Sequence, residues 1–320
     1  MASLYEYTSG RTLIEFGTLL AEAAIALVLA PELLKHFASV REREARIALN
    51  IEIVDPKKNT QPVYGLDPIT SGLHDFIDRA RNPRAYAELD AGNEILIVGP
   101  EQAGKKALAL HIAQLADIGR VVIVYNPRDA DVLARAKSMI ENRPSLWRRI
   151  VRSFALHEDL PRSQKTMLLL PGLDPANGNK GEAWCDQLEA LIETASSLPH
   201  VLIVGTAATY ERKGEVASWF GTVLPLPEEG SAGWDDMIKQ IADGFLEAAL
   251  KAKYRLADDF QSHDFIERIL RGRPNPAEVK DIFAHCKTLA TYKQRKDRGA
   301  QLLFTPEILA TAIKRVIPPG

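Results

Sequence analysis

Five short apolar runs, Glu94 to Val98, Arg120 to Tyr125, Thr166 to Leu170, Val201 to Gly205 and Thr222 to Leu226, alternate with stretches of helical character. The intervening helices are expected at Lys105 to Leu115, Asp129 to Ile140, Leu146 to His157 and Ala183 to Ser197, and a further helix at Ile69 to Ala80 precedes the first run. Strands that return through helices form a parallel sheet covered on both faces, so this alternation predicts an α/β fold. Beyond "EEGSAG" at 228–233 the pattern changes to helices alone, broken at Gly272-Arg273-Pro274-Asn275-Pro276 and at Phe304-Thr305-Pro306. The second break pairs a threonine N-cap with proline at the first helical position. Three segments follow: an N-terminal helical extension and linker over 1–62, a large α/β subdomain over 63–228, and a helical lid over 229–320.

The run Leu13 to Leu34 is the most apolar of the chain, but Glu15, Glu22, Glu32 and Pro31 interrupt it. Each carboxylate would cost roughly 2.5–3.5 kcal/mol at mid-bilayer, which argues against a membrane span. With Arg11 as the single basic residue before it, the run is a poor secretory signal as well. Leu13, Phe16, Leu20, Ala23, Leu27, Ala30 and Leu34 fall on one helical seam, open to two readings: a helix packed on its own domain, or a docking helix for another subunit. Forty basic and 42 acidic residues leave a net charge of −2, so no overall field attracts nucleic acid. Arg148, Arg149 and Arg152, and the cations of "YKQRKDRGAQ" at 292–301, read as solvated faces, because aromatic residues other than Tyr292 do not interleave with the charges. Cys185 and Cys286 lack ligand or framework spacing and suit a reducing, cytoplasmic setting as buried apolar residues.

"GPEQAGKK" at 99–106 joins the first apolar run to the helix that follows it. Gly99, Gly104 and Lys105 match the phosphate loop G-x-x-x-x-G-K-[ST], in which backbone N–H groups at a helix N-terminus face an anion and the lysine reaches the outer phosphates. Pro100, Glu101, Gln102 and Ala103 complete the loop, and Lys106 stands where a Mg2+-binding hydroxyl would be. Two readings of Lys106 are open: a solvent-facing lysine beside an empty loop, or a second ammonium supplying part of the charge that Mg2+ normally brings. Glu101 would repel phosphate if turned inward.

Residues 63–316 resemble the AAA+ ATPase module. "VYGLDPITSGLHDFIDRARNPRAYAEL" at 63–89 looks like the family's approach segment, with a G-L-D-like start, a helix and a P-x-x-Y turn. "TMLLLPGLD" at 166–174 is similar to the Walker B strand, "VLIVGTAATYER" at 201–212 to the sensor-1 strand and its exit, and "FGTVLPLPEE" at 220–229 to the strand leaving the large subdomain. "NPAEVKDIFAHCKTLA" at 275–290 and "FTPEILATAIKRV" at 304–316 resemble lid helices.

Carried over residue by residue, the resemblance puts the Walker B aspartate at Pro171, the catalytic glutamate at Gly172, the sensor-1 asparagine at Ala208 and the sensor-2 arginine near Ala277. Trp219 stands where a finger arginine would precede the aromatic residue, and "ENRPSLW" at 141–147 lacks the glycine of a pore loop. Asp174 occupies a slot that is acidic in the family without being catalytic. The expectation is a catalytically silent AAA+ protein with no catalytic residues, with weak or no binding of ATP or ADP and no requirement for Mg2+. It would act as a regulatory or scaffold subunit, in a homo-oligomer or a hetero-oligomer with another AAA+ subunit. The alternative is an active remodelling or chaperone-type ATPase with non-standard catalytic residues. The strand bearing Pro171 is expected beside the phosphate-loop strand.

Overall fold

The computed structural model describes residues 39–58, 63–65, 67–82, 85–86, 92–127, 129–141, 165–173, 183–208, 218–296 and 301–317. The seam at Leu13 to Leu34, the helix expected at 146–157, Trp147 and Asp174 lie outside them. Residues up to Asn50 form one compact unit, in which helix α1 occupies 39–50, and Ile51 to Gly320 form the other.

The second unit opens with strand β1, Ile51–Val54, and a 3-10 turn at Pro56–Lys58. The strand hydrogen-bonds into the main sheet, so the sheet starts ahead of the boundary placed at residue 62. Where one helix is expected at Ile69 to Ala80 there are two, α2 at Asp67–Ser71 and α3 at His74–Arg81, because the chain turns at Gly72 and Leu73. Strand β2 at Glu94–Val98 and helix α4 at Lys105–Leu115 then flank the glycine loop. Strand β3 at Arg120–Val124 leads to helix α5 at Ala130–Ile140, whose N-cap Asp129 accepts the Asp131 N–H. Strand β4 at Thr166–Leu170, helix α6 at Ala183–Ser196, strand β5 at Val201–Ala207 and strand β6 at Thr222–Pro225 complete the α/β part.

The six strands run in the order β1-β3-β4-β5-β2-β6, all parallel except the antiparallel edge strand β1. This corrects one expectation: β5 intervenes between β4 and β2, so Pro171 does not end a strand next to that of the loop. In a strand, successive side chains face opposite sides of the sheet. Ile95, Ile97, Val121 and Ile123 enter a core shared with Leu108 and Ile112 of α4, while the intervening Leu96, Val98, Val122 and Val124 are buried as well. Both faces are therefore covered, as a parallel sheet requires.

The helical C-terminal part comprises α7 at Ala232–Lys251, α8 at Ser262–Arg271, α9 at Pro276–Lys296 and α10 at Pro306–Val316. Two short strands not expected there, β7 at Arg255–Leu256 and β8 at Leu303–Phe304, pair in parallel. Two residues each are too few for a hydrophobic period to reveal them. The helix starts follow capping chemistry: Thr305 accepts the Ile308 N–H at 3.3 Å ahead of Pro306. At α9 the Asn275 side chain accepts the Glu278 N–H at 3.0 Å, and the Glu278 carboxylate accepts the Asn275 N–H at 2.8 Å, a reciprocal capping box. Cys185 and Cys286 are free and buried, and burial pushes the Cys286 thiol up to about 12. Among the described residues no helix is long and apolar enough to cross a membrane.

Candidate functional site

Parallel strands deliver their C-terminal ends to one edge of the sheet, and the glycine loop leaves β2 at that edge. Its base is clamped on both sides: the Gly99 N–H donates to the Ala207 carbonyl at 3.2 Å, and the Leu226 N–H donates to the Val98 carbonyl at 2.7 Å. A Cβ at Gly99 would lie 2.7 Å from Leu226 Cβ, so this position has room only for glycine. Gly104, with φ of +85°, is the left-handed residue that turns the chain into α4. The first N–H groups of α4 lack intrahelical acceptors and carry the positive end of the helix dipole. Ala103 is buried and donates to the Pro100 carbonyl at 3.3 Å, whereas Glu101 and Gln102 are exposed.

The two lysines are held differently. Lys105 Nζ donates to the carbonyls of Gly99 and Pro100, both at 2.6 Å, folding the side chain back over the loop. Burial lowers its pKa, opposed by the nearby Glu101 charge. Lys106 Nζ instead reaches the hydroxyl of Tyr125, just beyond β3, and the carboxylate of Glu52 on β1 at 3.3 Å, and it lies 4.9 Å from the centre of the Tyr125 ring. Tyr125 donates its hydroxyl hydrogen to the same Glu52 oxygen. Burial alone would depress the Lys106 pKa, but Tyr125 and Glu52 outweigh it and raise it; the Tyr125 hydrogen bond, with Lys106 beside it, holds the Glu52 carboxyl below its usual range.

A cleft of about 840 Å³ opens beside Gln102, Ala103, Gly104 and Lys106. One wall is apolar, with Val63, Tyr64, Leu110, Ile241 and Phe245, and Tyr64 meets Phe245 edge to face at 5.0 Å between ring centres. The chain before α2 fits tightly on α7 at two glycines. A Cβ at Gly244 would lie 2.3 Å from the Tyr64 ring, and one at Gly65, whose φ is +72°, would lie 2.8 Å from the Met237 carbonyl oxygen. The polar wall carries Glu52, Asp55, Lys58 and Lys106, and from α9 come Ala277 and, one turn on, Lys280. Such a cavity, apolar with a few charged groups, has the size and character of a small-molecule site.

At the end of β4 stand Pro171 and Gly172. Gly172 has φ of +73°, its N–H donates to Thr206 Oγ1 at 3.2 Å, and the Leu173 N–H donates to the Thr206 carbonyl at 2.8 Å. The position to which the resemblance carries a carboxylate pair is thus a tight turn stapled to β5. That strand runs two residues past its expected end at Gly205, leaving Ala208 exposed just beyond it. Phe220 is buried against Gly205, where a Cβ would lie 2.5 Å from its ring, and Trp219 is partly exposed.

Sequence reasoning located the loop and Ala277 but not Glu52, Tyr125, Tyr64 or Phe245. Only pairing of β1 with β3 brings Glu52 near Lys106, and a four-residue strand with one glutamate carries no signal of that partner. Among the described residues no group of three or more His, Cys, Asp or Glu side chains could hold a metal ion.

No protein-family model matches the sequence, and no curated protein matches it. The three-dimensional structure is similar to the crystal structure of the FIGL-1 AAA domain, with a TM-score of 0.51, 14% identity, and 80% of this chain aligned to 82% of that one. It is similar also to the FIGL-1 AAA domain in complex with ADP, with a TM-score of 0.50, 16% identity, and 86% of this chain aligned to 91% of that one. The chain has the α/β P-loop fold of an AAA domain, with a helical C-terminal part.

Proposed function

We propose that this chain is a regulatory or scaffold subunit of AAA+ type, which binds ATP or ADP weakly, does not hydrolyse it, and works through contacts with itself or with an active AAA+ partner. The observation that carries this reading is a formed glycine loop on β2 together with an end of β4 that presents Pro171 and Gly172. The cleft supports a nucleotide: Tyr64, Ile241 and Phe245 offer apolar surface for a base, and Gly104 and Lys106, at the N-terminus of α4, line the same cleft. A neighbour of the same fold is complexed with ADP.

ATP hydrolysis needs Mg2+ on the phosphates, a carboxylate for the attacking water and usually an arginine. The residues present do not fit that Mg2+ site, since Lys106 replaces the hydroxyl and the carboxylates of β4 are missing. A general base contributes ~10²–10⁴ in rate and an arginine finger ~10³–10⁵, so losing both leaves almost no turnover. Binding then rests on backbone N–H groups, the helix dipole and ammonium groups. Calorimetric titration of ATP with Mg2+ and with EDTA, with phosphate release followed in the same samples, tests this. Weak binding indifferent to EDTA, abolished by Lys105→Ala and without turnover, is expected. Strong Mg2+ dependence or sustained turnover refutes it.

A further inference from the structure

Glu52 reaches the phosphate loop from the far edge of the sheet. β1 pairs antiparallel with β3, Glu52 standing opposite Ile123, so Tyr125 is its diagonal neighbour on the same face. Lys106, on the first turn of α4, meets both. Three elements distant in sequence converge on one ammonium, and Glu52 and Lys106 both line the cleft.

We propose that Glu52 and Tyr125 form a latch that holds Lys106 away from the phosphate position, so that a nucleotide polyphosphate must displace Glu52 to engage this lysine. This rests on the nucleotide-binding reading of the cleft and names how that binding is regulated. The alternatives left open by the sequence, a solvent-facing lysine or a preset phosphate ligand, give way to a third: an ammonium already paired within the protein.

The latch is suited to release. The side chains of Lys106 and Glu52 are 46% and 47% exposed, and an exposed pair of this kind favours its closed state by only about fivefold or less. A polyphosphate carries more than one negative charge and lies near a helix N-terminus, so it competes well for the same ammonium. Tyr125 strengthens the contact, because its hydroxyl donates to Glu52 while accepting from Lys106. Glu52 rides on an edge strand that, among the described residues, pairs with β3 alone. Edge strands are the least held in a sheet, so displacement of β1 would free Lys106 without disturbing the β2–α4 loop. The latch also acts on phosphate alone: a nucleoside lacking phosphates has nothing to exchange for Glu52.

The test is a calorimetric titration of ATP and of adenosine into the full chain and into Glu52→Gln, Tyr125→Phe, Lys106→Ala and Glu52→Gln/Lys106→Ala, with Glu267→Gln as a charge control. Glu267 pairs with Arg271 on α8 and does not line the cleft. Glu52→Gln is expected to tighten ATP roughly three- to tenfold, by freeing the lysine and removing a repelling charge, and to leave adenosine within twofold. Tyr125→Phe should shift ATP in the same direction by less, with the carboxylate intact. In the Lys106→Ala background the gain from Glu52→Gln should fall below about twofold. Unchanged or weaker ATP binding by Glu52→Gln, an equal gain with Glu267→Gln, or a full gain persisting without Lys106 overturns the latch while leaving the nucleotide site in place. Failure of every variant to bind either compound overturns the nucleotide site itself, and the latch with it.

Discussion

On the proposed reading of a site that does not hydrolyse ATP, placing carboxylates at the end of β4 is the direct attempt to confer turnover, and the backbone opposes it. Gly172 has φ of +73° and is tied to β5 through Thr206, so the turn cannot relax without breaking two hydrogen bonds. An added Cβ would meet nothing within 4 Å, so the cost of Gly172→Glu is conformational rather than steric. A non-glycine residue in the left-handed region costs about 1–2 kcal/mol. At roughly 2–4 °C per kcal/mol for a domain of this size class, the melting temperature should drop by about 2–8 °C. Pro171→Asp, next to it without a positive φ, should move it little and serves as the control. Differential scanning calorimetry on both single variants and the double, with phosphate release measured alongside, is the assay. The double variant should remain inactive, because Lys106 still occupies the hydroxyl position and Ala208 and Ala277 still lack polar side chains. Equal melting temperatures for the two single variants, or Mg2+-dependent turnover by the double, would refute the reasoning.

Two further outcomes concern stability. Gly205→Ala would drive a Cβ to 2.5 Å from the buried Phe220 ring, and overpacking of this kind should cost about 1–3 kcal/mol in urea unfolding, whereas a loss below 0.5 kcal/mol would show that the ring moves aside freely. Asn275→Ala should cost about 1 kcal/mol by breaking the reciprocal cap at α9, and Asn275→Asp should recover most of it; equal losses would mean the cap is not what sets the start of the helix.

Much of the fold was legible in the chain because its strongest signals are local. The limits of β2, α4 and β4 agree with their hydrophobic runs, and the cap at Thr305-Pro306 follows from side-chain geometry within four residues. The loop at 99–106 was legible for the same reason, since glycines and a lysine at fixed spacing follow from the demands of one turn. Strand order was less so. The placement of β4 beside β2 failed because hydrophobic periodicity states that a strand is buried and not which strand lies beside it.

What the sequence determined by itself is therefore the identity of the parts: a strand, a glycine turn, a helix carrying two lysines, and proline and glycine where carboxylates would stand. Only the tertiary structure decided what those lysines touch. Lys105 turns back on Gly99 and Pro100, six and five residues away, while Lys106 finds Glu52 54 residues before it and Tyr125 19 residues after it. The physical reason is that side-chain pairing between distant segments depends on the register of β1 against β3. A shift of one residue would turn Glu52 to the opposite face of the sheet, and no composition or spacing within β1 records that choice.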